Sequence, residues 1–448
     1  MTQEEPGQRK KSSTGKYVIF GLPRFSTSIL IGFADFALFT LYNLAYLPSP
    51  FLIGIALALG KLTIASSQFL FGWLSDAKFT RLGRRKPFLI VLSPILSISF
   101  LFLLLPNLII DITNINATFV WLLLWNVLFN ISYGITSPYG SWMTEQFTSN
   151  ERPKASQYYN IFAFTGSALM SIFSFIILTD SVNKISINPN IIPPEFLVSV
   201  IIFAILPIVL FYLTVFLIPT EPHFKIESNI FDNLKVLLKN KNFLLVTIMQ
   251  GIASIAFIMI GQTVLQFTII VLQFEDIDYY VVAALMMFGV FGFIILWRKI
   301  IQKLGKKKSL LYIFLTAIIF LPSTLFGAIP MNSYFFYGIL FILGLAASLG
   351  GWNLLPSIIY ADIAEDDQKK TGELKAGIYT GFPSIILNIF QAVGLFLTGV
   401  ILDLPNLGLD FSIGYILWGP IGSIVLICAY LYSRKFIKLD FEWEKNDR

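Results

Sequence analysis

Apolar runs long enough to cross a bilayer recur twelve times along the chain, separated by short polar segments. A helix rising 1.5 Å per residue needs roughly 20 mostly apolar residues to span the hydrocarbon core, so the pattern predicts an all-α membrane protein of twelve transmembrane helices. The polar punctuation divides it into an amino-terminal tail (1–24), a first bundle of six spans (25–218), a link (219–242), a second bundle of six (243–433) and a tail (434–448). In the link, Ile230, Leu234, Leu237 and Leu238 recur at helical spacing opposite Lys235 and Lys239, which predicts an amphipathic helix on the membrane surface acting as a hinge. The first bundle carries a basic hairpin between its second and third spans, GWLSDAKFTRLGRRKPF from Gly72 to Phe88. In the second half, Leu296, Lys303, Leu304, Gly305 and Lys306 to Lys308 match Leu74, Arg81, Leu82, Gly83 and Arg84 to Lys86, with Gly305 standing 222 residues after Gly83. Such spacing is the mark of a duplicated bundle, hence of two pseudo-symmetric six-helix halves.

Composition agrees with a bilayer as solvent. Hydrophobic residues make up 56% of the 448 and charged residues 13%, against an apolar share of roughly 45 to 50% in soluble domains. The charge is informative by position. With the amino terminus in the cytoplasm, 30 of the 32 Lys and Arg fall in cytoplasmic segments, whereas the opposite loops keep Lys184 beside Asp111, Asp180, Glu275, Asp276 and Asp278. Basic loops resist translocation, so both termini are expected in the cytoplasm of a multi-pass protein of the plasma membrane. A single Cys, Cys428, and a single His, His223, exclude an internal disulfide and a Cys or His metal cluster. They also leave no nucleophile and base set for an enzyme. No GxxxxGK[ST] phosphate loop occurs. The expectation is therefore a monomer with no cofactor and no nucleic-acid partner, working on a small-molecule substrate amid membrane lipids.

The ionisable residues inside spans carry the candidate chemistry. Asp35 stands about ten residues into the first span and Lys61 about eleven into the second, roughly 15 Å from the ends. Charges at that depth cost several kcal/mol and are paired, hydrated or neutralised. The two are expected to face one another or a shared cavity, as a proton or solute site or as a permanent pin between helices. Uncharged candidates are Gln262 and Gln266, one turn apart, and Asn126, Asn130, Tyr133 and Thr136 at steps of four, three and three. Trp352, Asn353, Asn388 and Gln391 add an aromatic platform and amides. Amides and an aromatic face suit a sugar, and the same groups also serve as interhelical hydrogen bonds. At the cytoplasmic ends, Asp76, Gly83, Arg84 and Arg85, Glu145 with Arg152, and Asp362 with Lys375 are expected to form a gate of ion pairs. Pro138 and Pro356 are expected to kink the fourth and tenth spans as a symmetric pair.

Twelve spans in two related halves with this hairpin resemble the major facilitator superfamily. More closely, GWLSDAKFTRLGRRKPF, SPYGSWMTEQFTSNER from Ser137 and YADIAEDDQKKTGELKAGIY from Tyr360 resemble the glycoside-pentoside-hexuronide:cation symporter family, which includes melibiose permease, and the related sucrose transporters. The resemblance implies that Asp35 contacts sugar and that Lys61 is the basic residue of the second helix. It also exposes departures: the three carboxylates of that family's sodium site fall on Ile64, Gln68 and Thr136, and its two basic sugar-site residues fall on Asn160 and Asn388. A proton is thereby favoured over sodium as the co-transported cation. The expected function is symport of a small polar organic solute, a sugar or glycoside, by alternating access. The alternatives are a carrier of a lysolipid or drug-like amphiphile, or a membrane sensor that transports nothing.

Overall fold

The computed structural model describes residues 12–47, 49–77, 79–148, 151–189, 191–220, 239–371 and 382–439. They hold twelve helices long and apolar enough to cross a bilayer. These are α1 (Thr14–Phe36), α2 (Pro50–Asp76), α3 (Lys86–Leu104), α4 (Ile115–Gln146), α5 (Arg152–Ile187), α6 (Pro194–Leu217), α7 (Lys241–Ile270), α8 (Ile277–Leu304), α9 (Lys306–Ala328), α10 (Phe335–Asp367), α11 (Pro383–Leu402) and α12 (Gly414–Phe436). The duplication read from the hairpins is visible in the packing. Within the first half, α1 lies against α5 and α6, α2 against α4, and α3 against α4 and α6. Adding six to every number gives the packing of the second half: α7 against α11 and α12, α8 against α10, α9 against α10 and α12. Across the halves α2 packs on α11 and α5 on α8, which the same operation exchanges, while α1 meets α7 near the axis. Gly83 (φ 96°) and Gly305 (φ 80°) both adopt the left-handed backbone that glycine takes without steric cost, so the two hairpins turn at equivalent residues.

The first helix begins earlier than its hydropathy suggests. Residues 14–24, expected in a tail, form three turns of α1. Ser13 caps them by accepting from the Lys16 amide, and Tyr17 and Phe20 are fully buried against Phe147, Tyr139 and Trp142 of the α4 region. Burial against neighbouring helices replaces lipid contact here, and a hydropathy window does not see it. The start is tied down by Glu151, whose carboxylate accepts from the amides of Ser12 (2.7 Å) and Thr148 (3.1 Å) and from the Thr148 hydroxyl (3.1 Å). Helix α4 breaks at Gly134 and Ile135, between helical segments Ile115–Tyr133 and Thr136–Gln146, whereas α10 stays helical through Pro356. The amphipathic link helix and His223 lie largely or wholly in 221–238, outside the described residues.

Helix α5 approaches α1 so closely that a Cβ on Gly166 would fall 2.5 Å from the Phe25 carbonyl oxygen, a backbone atom that cannot swing away. Gly166→Ala should therefore lower stability by about 1–3 kcal/mol, read as a fall in the thermal midpoint in detergent. Gly140→Ala, where nothing lies within 4 Å, should not. Burial raises the Glu151 carboxyl, but the hydrogen bonds from Ser12 and Thr148 outweigh it and hold the group down at about 2, against an ordinary 4.5. A depressed folded-state value stabilises above the unfolded one. Glu151→Gln should thus be less stable than the parent at neutral pH, and the gap should close as pH falls from about 4.5 towards 2 in thermal melts. A gap that stays constant across that window would exclude this role.

Candidate functional site

The basic hairpins lie at one end of the bundle, the basic side, and the chain crosses from there to the opposite side. Midway, the Lys61 ammonium of α2 stands 2.6 Å from Oδ1 of Asp35 on α1. The two side chains differ in access: that of Lys61 is 7% exposed and that of Asp35 is 34%. A third-exposed carboxylate in the middle of a span is tolerable where water reaches it. Tyr133 of α4 lies within electrostatic reach of both Asp35 and Arg24.

On the opposite side of Asp35 the halves are bonded together. Asn43, in a π-helical turn (Tyr42–Tyr46) that continues the first span, donates to Oε1 of Gln266 on α7 at 2.7 Å and to the Tyr415 hydroxyl of α12 at 2.6 Å. Tyr415 itself donates to the same Gln266 oxygen at 3.3 Å. One turn closer to the centre, Gln262 donates to the Ala34 carbonyl at 2.9 Å and leaves its own Oε1 buried without a donor. Gly261 admits this approach, since a Cβ there would sit 2.8 Å from the Asp35 carbonyl oxygen. Both glutamines are fully buried. They close the space between the halves in this conformation. On α2 and α11, Gly54 and Gly399 make a similar close approach, with a Cβ on Gly54 falling 2.8 Å from the Gly399 Cα.

The remaining sugar-site candidates divide. Gln68 donates to Thr136 at 3.1 Å and accepts from Ser384 of α11 at 3.3 Å, so it joins both halves as well as two helices of the first. Asn130 is buried in the α2–α4 seam: it donates to Asn126 Oδ1 at 2.9 Å while Asn126 donates to the Ala56 carbonyl at 2.8 Å, beside Gly60, which has no Cβ to obstruct them. The side-chain bonds of Asn130 thus stay within α4, and Asn126 makes the bond to α2. Asn388 is likewise buried and donates to the Ser384 carbonyl one turn back, at 2.7 Å. Trp352 stacks on Phe257 with ring centroids 4.5 Å apart, so one of its faces is already covered. Asn160 and Asn353 are exposed, and Gln391 is half-buried.

The expected gate is partly redrawn. Arg84 pairs with Glu145 at 2.8 Å, and Arg85 contacts Glu145 at 2.9 Å, Ser75 and Asp76. Among the described residues, this cluster joins the ends of α2, α3 and α4. Glu145 is engaged by these two arginines, and Arg152 instead donates to the carbonyls of Thr144 (3.0 Å) and Phe147 (3.3 Å), finishing α4. Asp362 pairs with Lys306 at 2.6 Å inside the second half. Lys306 is the residue that matches Arg84 in the repeat. Lys375 lies outside the described residues. Among the described residues no three His, Cys, Asp or Glu side chains are placed to hold a metal ion.

Sequence reasoning missed Asn43, Tyr415 and Arg24. Asn43 follows Asp35 by eight residues, close to the same helix face, and that spacing was a usable signal. Arg24 precedes Asp35 by eleven, also on that face, but falls in the stretch expected as a tail. Tyr415 sits at the start of an aromatic-rich span and carries no signal of its own.

A sequence-family model described as MFS/sugar transport protein matches residues 19–415. No curated protein sequence matches the chain significantly. Solved structures with the same fold include a D-xylose-proton symporter, 13% identical, TM-score 0.68, covering 95% of this chain and 97% of that one. The nucleoside transporter NupG is 13% identical with TM-score 0.64 over 94% and 100%. A bacterial homologue of the human lysosomal transporter Spinster, in an inward-facing and unoccupied conformation, is 15% identical with TM-score 0.61 over 95% and 97%. The family match covers both halves, the duplicated hairpin and the paired charges of the first two helices, and the chain belongs to the MFS/sugar transport protein family.

Proposed function

We propose that the protein is a secondary active transporter that moves a small polar organic solute, a sugar or glycoside, by proton symport and alternating access. The basic side is assigned to the cytoplasm of the plasma membrane, because basic loops resist translocation. The bonded closure of Asn43, Gln262, Gln266 and Tyr415 then lies towards the exterior. The observation that carries the reading is the Asp35–Lys61 pair, with the carboxylate a third exposed and its far side closed by α7. As a carboxylate, Asp35 forms an ion pair with Lys61. A proton arriving at Asp35 removes one charge, weakens the pair and frees the ammonium to bond a solute hydroxyl. Asp35 at that position and, nearer the basic side, Tyr133, Gln68, Thr136 and Asn160 supply further donors and acceptors. This polar set supports a hydroxylated solute over an amphiphile.

In proteoliposomes given a proton gradient and a panel of labelled sugars, the parent should accumulate one class, whereas Asp35→Asn should keep exchange at equilibrium and lose gradient-driven accumulation. Full accumulation by Asp35→Asn would refute the assignment, and no flux of any sugar or lysolipid by the parent would favour a sensor. Asn43→Leu should loosen the exterior closure, because the Gln266 and Tyr415 oxygens lose a buried donor, at a cost of about 1–3 kcal/mol. That is enough to change a two-state ratio from about fivefold to beyond a hundredfold. Spin labels on Ile187→Cys and Leu407→Cys, exposed positions of the two halves, in a Cys428→Ser background, should then show a longer distance component. An unchanged distribution would mean that these bonds do not hold the closure.

A further inference from the structure

Arg24 sits in α1 eleven residues before Asp35, three turns away and on the same face, about 16 Å nearer the basic side. Its guanidinium has five N–H donors and cannot lose its charge. One donor, Nη1, reaches the Tyr133 hydroxyl at a long 3.5 Å, the guanidinium lies 5.2 Å from the centre of the Tyr159 ring, and Nε is buried with no acceptor. Among the described residues no carboxylate lies within 4.0 Å of it.

The buried basic residues of the first half are all engaged. Lys61 has Asp35, Arg84 and Arg85 share Glu145, and Lys86 donates to the Ile218 carbonyl at 2.7 Å. Among the described residues of that half, Arg24 alone combines a permanent charge, a buried donor without an acceptor, and a setting made of two phenols. Arg24 is half-buried as a whole, and its buried Nε lacks the acceptor that an anion would supply. The planar fork fits one carboxylate or phosphate through two parallel hydrogen bonds, the Tyr133 hydroxyl adds a donor beside it, and the Tyr159 ring flanks it. The bland reading, a basic residue marking the end of a span, accounts for a charge reaching out to water and leaves the buried Nε unexplained.

We propose that Arg24, flanked by Tyr133 and Tyr159, is a binding site for an anionic group, a carboxylate or phosphate, on the basic side of the Asp35–Lys61 pair. Taken with the carrier reading, on which this further step rests, the transported solute bears that group. The anion docks at Arg24 while its hydroxylated part faces the polar residues towards Asp35. Lipid carrying a phosphate headgroup is the other source of the same chemistry.

The test is binding, which needs no flux. Protein in nanodiscs of neutral phosphatidylcholine is titrated with D-glucuronate, D-glucose 1-phosphate, inorganic phosphate and neutral D-glucose, and thermal stabilisation is read for the parent, Arg24→Gln and Arg24→Lys. The parent should be stabilised by one or more of the anions, and Arg24→Gln should weaken that response at least about tenfold, the loss of a charge-assisted hydrogen bond of roughly 1.5 kcal/mol or more. Arg24→Lys should fall between, because it keeps the charge and loses the fork. Any response to neutral glucose should be unchanged. Stabilisation by phosphatidylglycerol nanodiscs that depends on Arg24, with no response to the soluble anions, would assign the site to lipid. Equal anion binding by parent and Arg24→Gln, or no anion response in either lipid, would overturn the proposal. Should Arg24→Gln fail to fold, undiminished anion binding by Arg24→Lys overturns it equally, and a weakened response supports it. Gradient-driven uptake with no Arg24-dependent binding leaves the carrier standing and removes the anion site, and binding without uptake does the reverse.

Discussion

A carboxylate and an ammonium held 2.6 Å apart in the middle of two apolar helices set the terms for the rest of the molecule. Each charge alone costs several kcal/mol at that depth, and even the pair requires compensating contacts or water. Lys61 meets the requirement by burial against its partner, Asp35 by keeping a third of its side chain exposed. A bundle of twelve helices provides such exposure away from lipid through a space between two halves. Helices α1 and α2, which carry the pair, are also two of the helices that touch the second half.

The polar bonds fall into two kinds, and the division has a mechanical meaning. The ion pairs seen among the described residues of the basic side lie within a half: Arg84 and Arg85 with Glu145 and Asp76 in the first, Lys306 with Asp362 in the second. The bonds described between halves join neutral groups: Asn43, Gln266, Tyr415, Gln262, and Gln68 with Ser384. Neutral side-chain hydrogen bonds within membranes contribute about 0.6 to 2 kcal/mol each, little enough to be broken and remade. Charge-assisted ones are stronger. Among the described residues, each half is thus stiffened internally by bonds stronger than those that join it to its partner, the arrangement that rigid-body rocking needs.

Much of this was legible in the sequence because its cause is local. Hydropathy gave the spans, and the repeated Leu, basic and Gly pattern gave the two halves, since Gly83 and Gly305 must both take a left-handed turn. The Asp35–Lys61 pair was legible because lone charges at mid-span must find partners. What failed depended on partners remote in sequence. Residues 14–24 look like a tail because their helix is secured by Glu151 and by rings of α4, more than a hundred residues on. Gln262 and Gln266 read as a sugar wall because an amide on a helix face looks the same whether it meets a solute or Asn43. Glu145 suggests Arg152 as its partner, close in sequence, whereas Arg84 and Arg85 reach it from sixty residues away.

The same short stretch of α1 serves both the charge and the closure. The Asp35 side chain faces Lys61 while its own carbonyl lies against Gly261, and the adjacent Ala34 carbonyl accepts from Gln262. Protonation of the carboxylate changes the attraction between α1 and α2, and any resulting shift of α1 moves the two carbonyls on which α7 rests. Opening of the α1–α7 seam, conversely, moves the segment that carries the carboxylate. In the proton symport proposed above, linkage makes the two effects equal in free energy. The proposed coupling therefore needs no relay across the protein: one peptide segment, Ala34 and Asp35, presents the Asp35 side chain to α2 and its backbone carbonyls to α7.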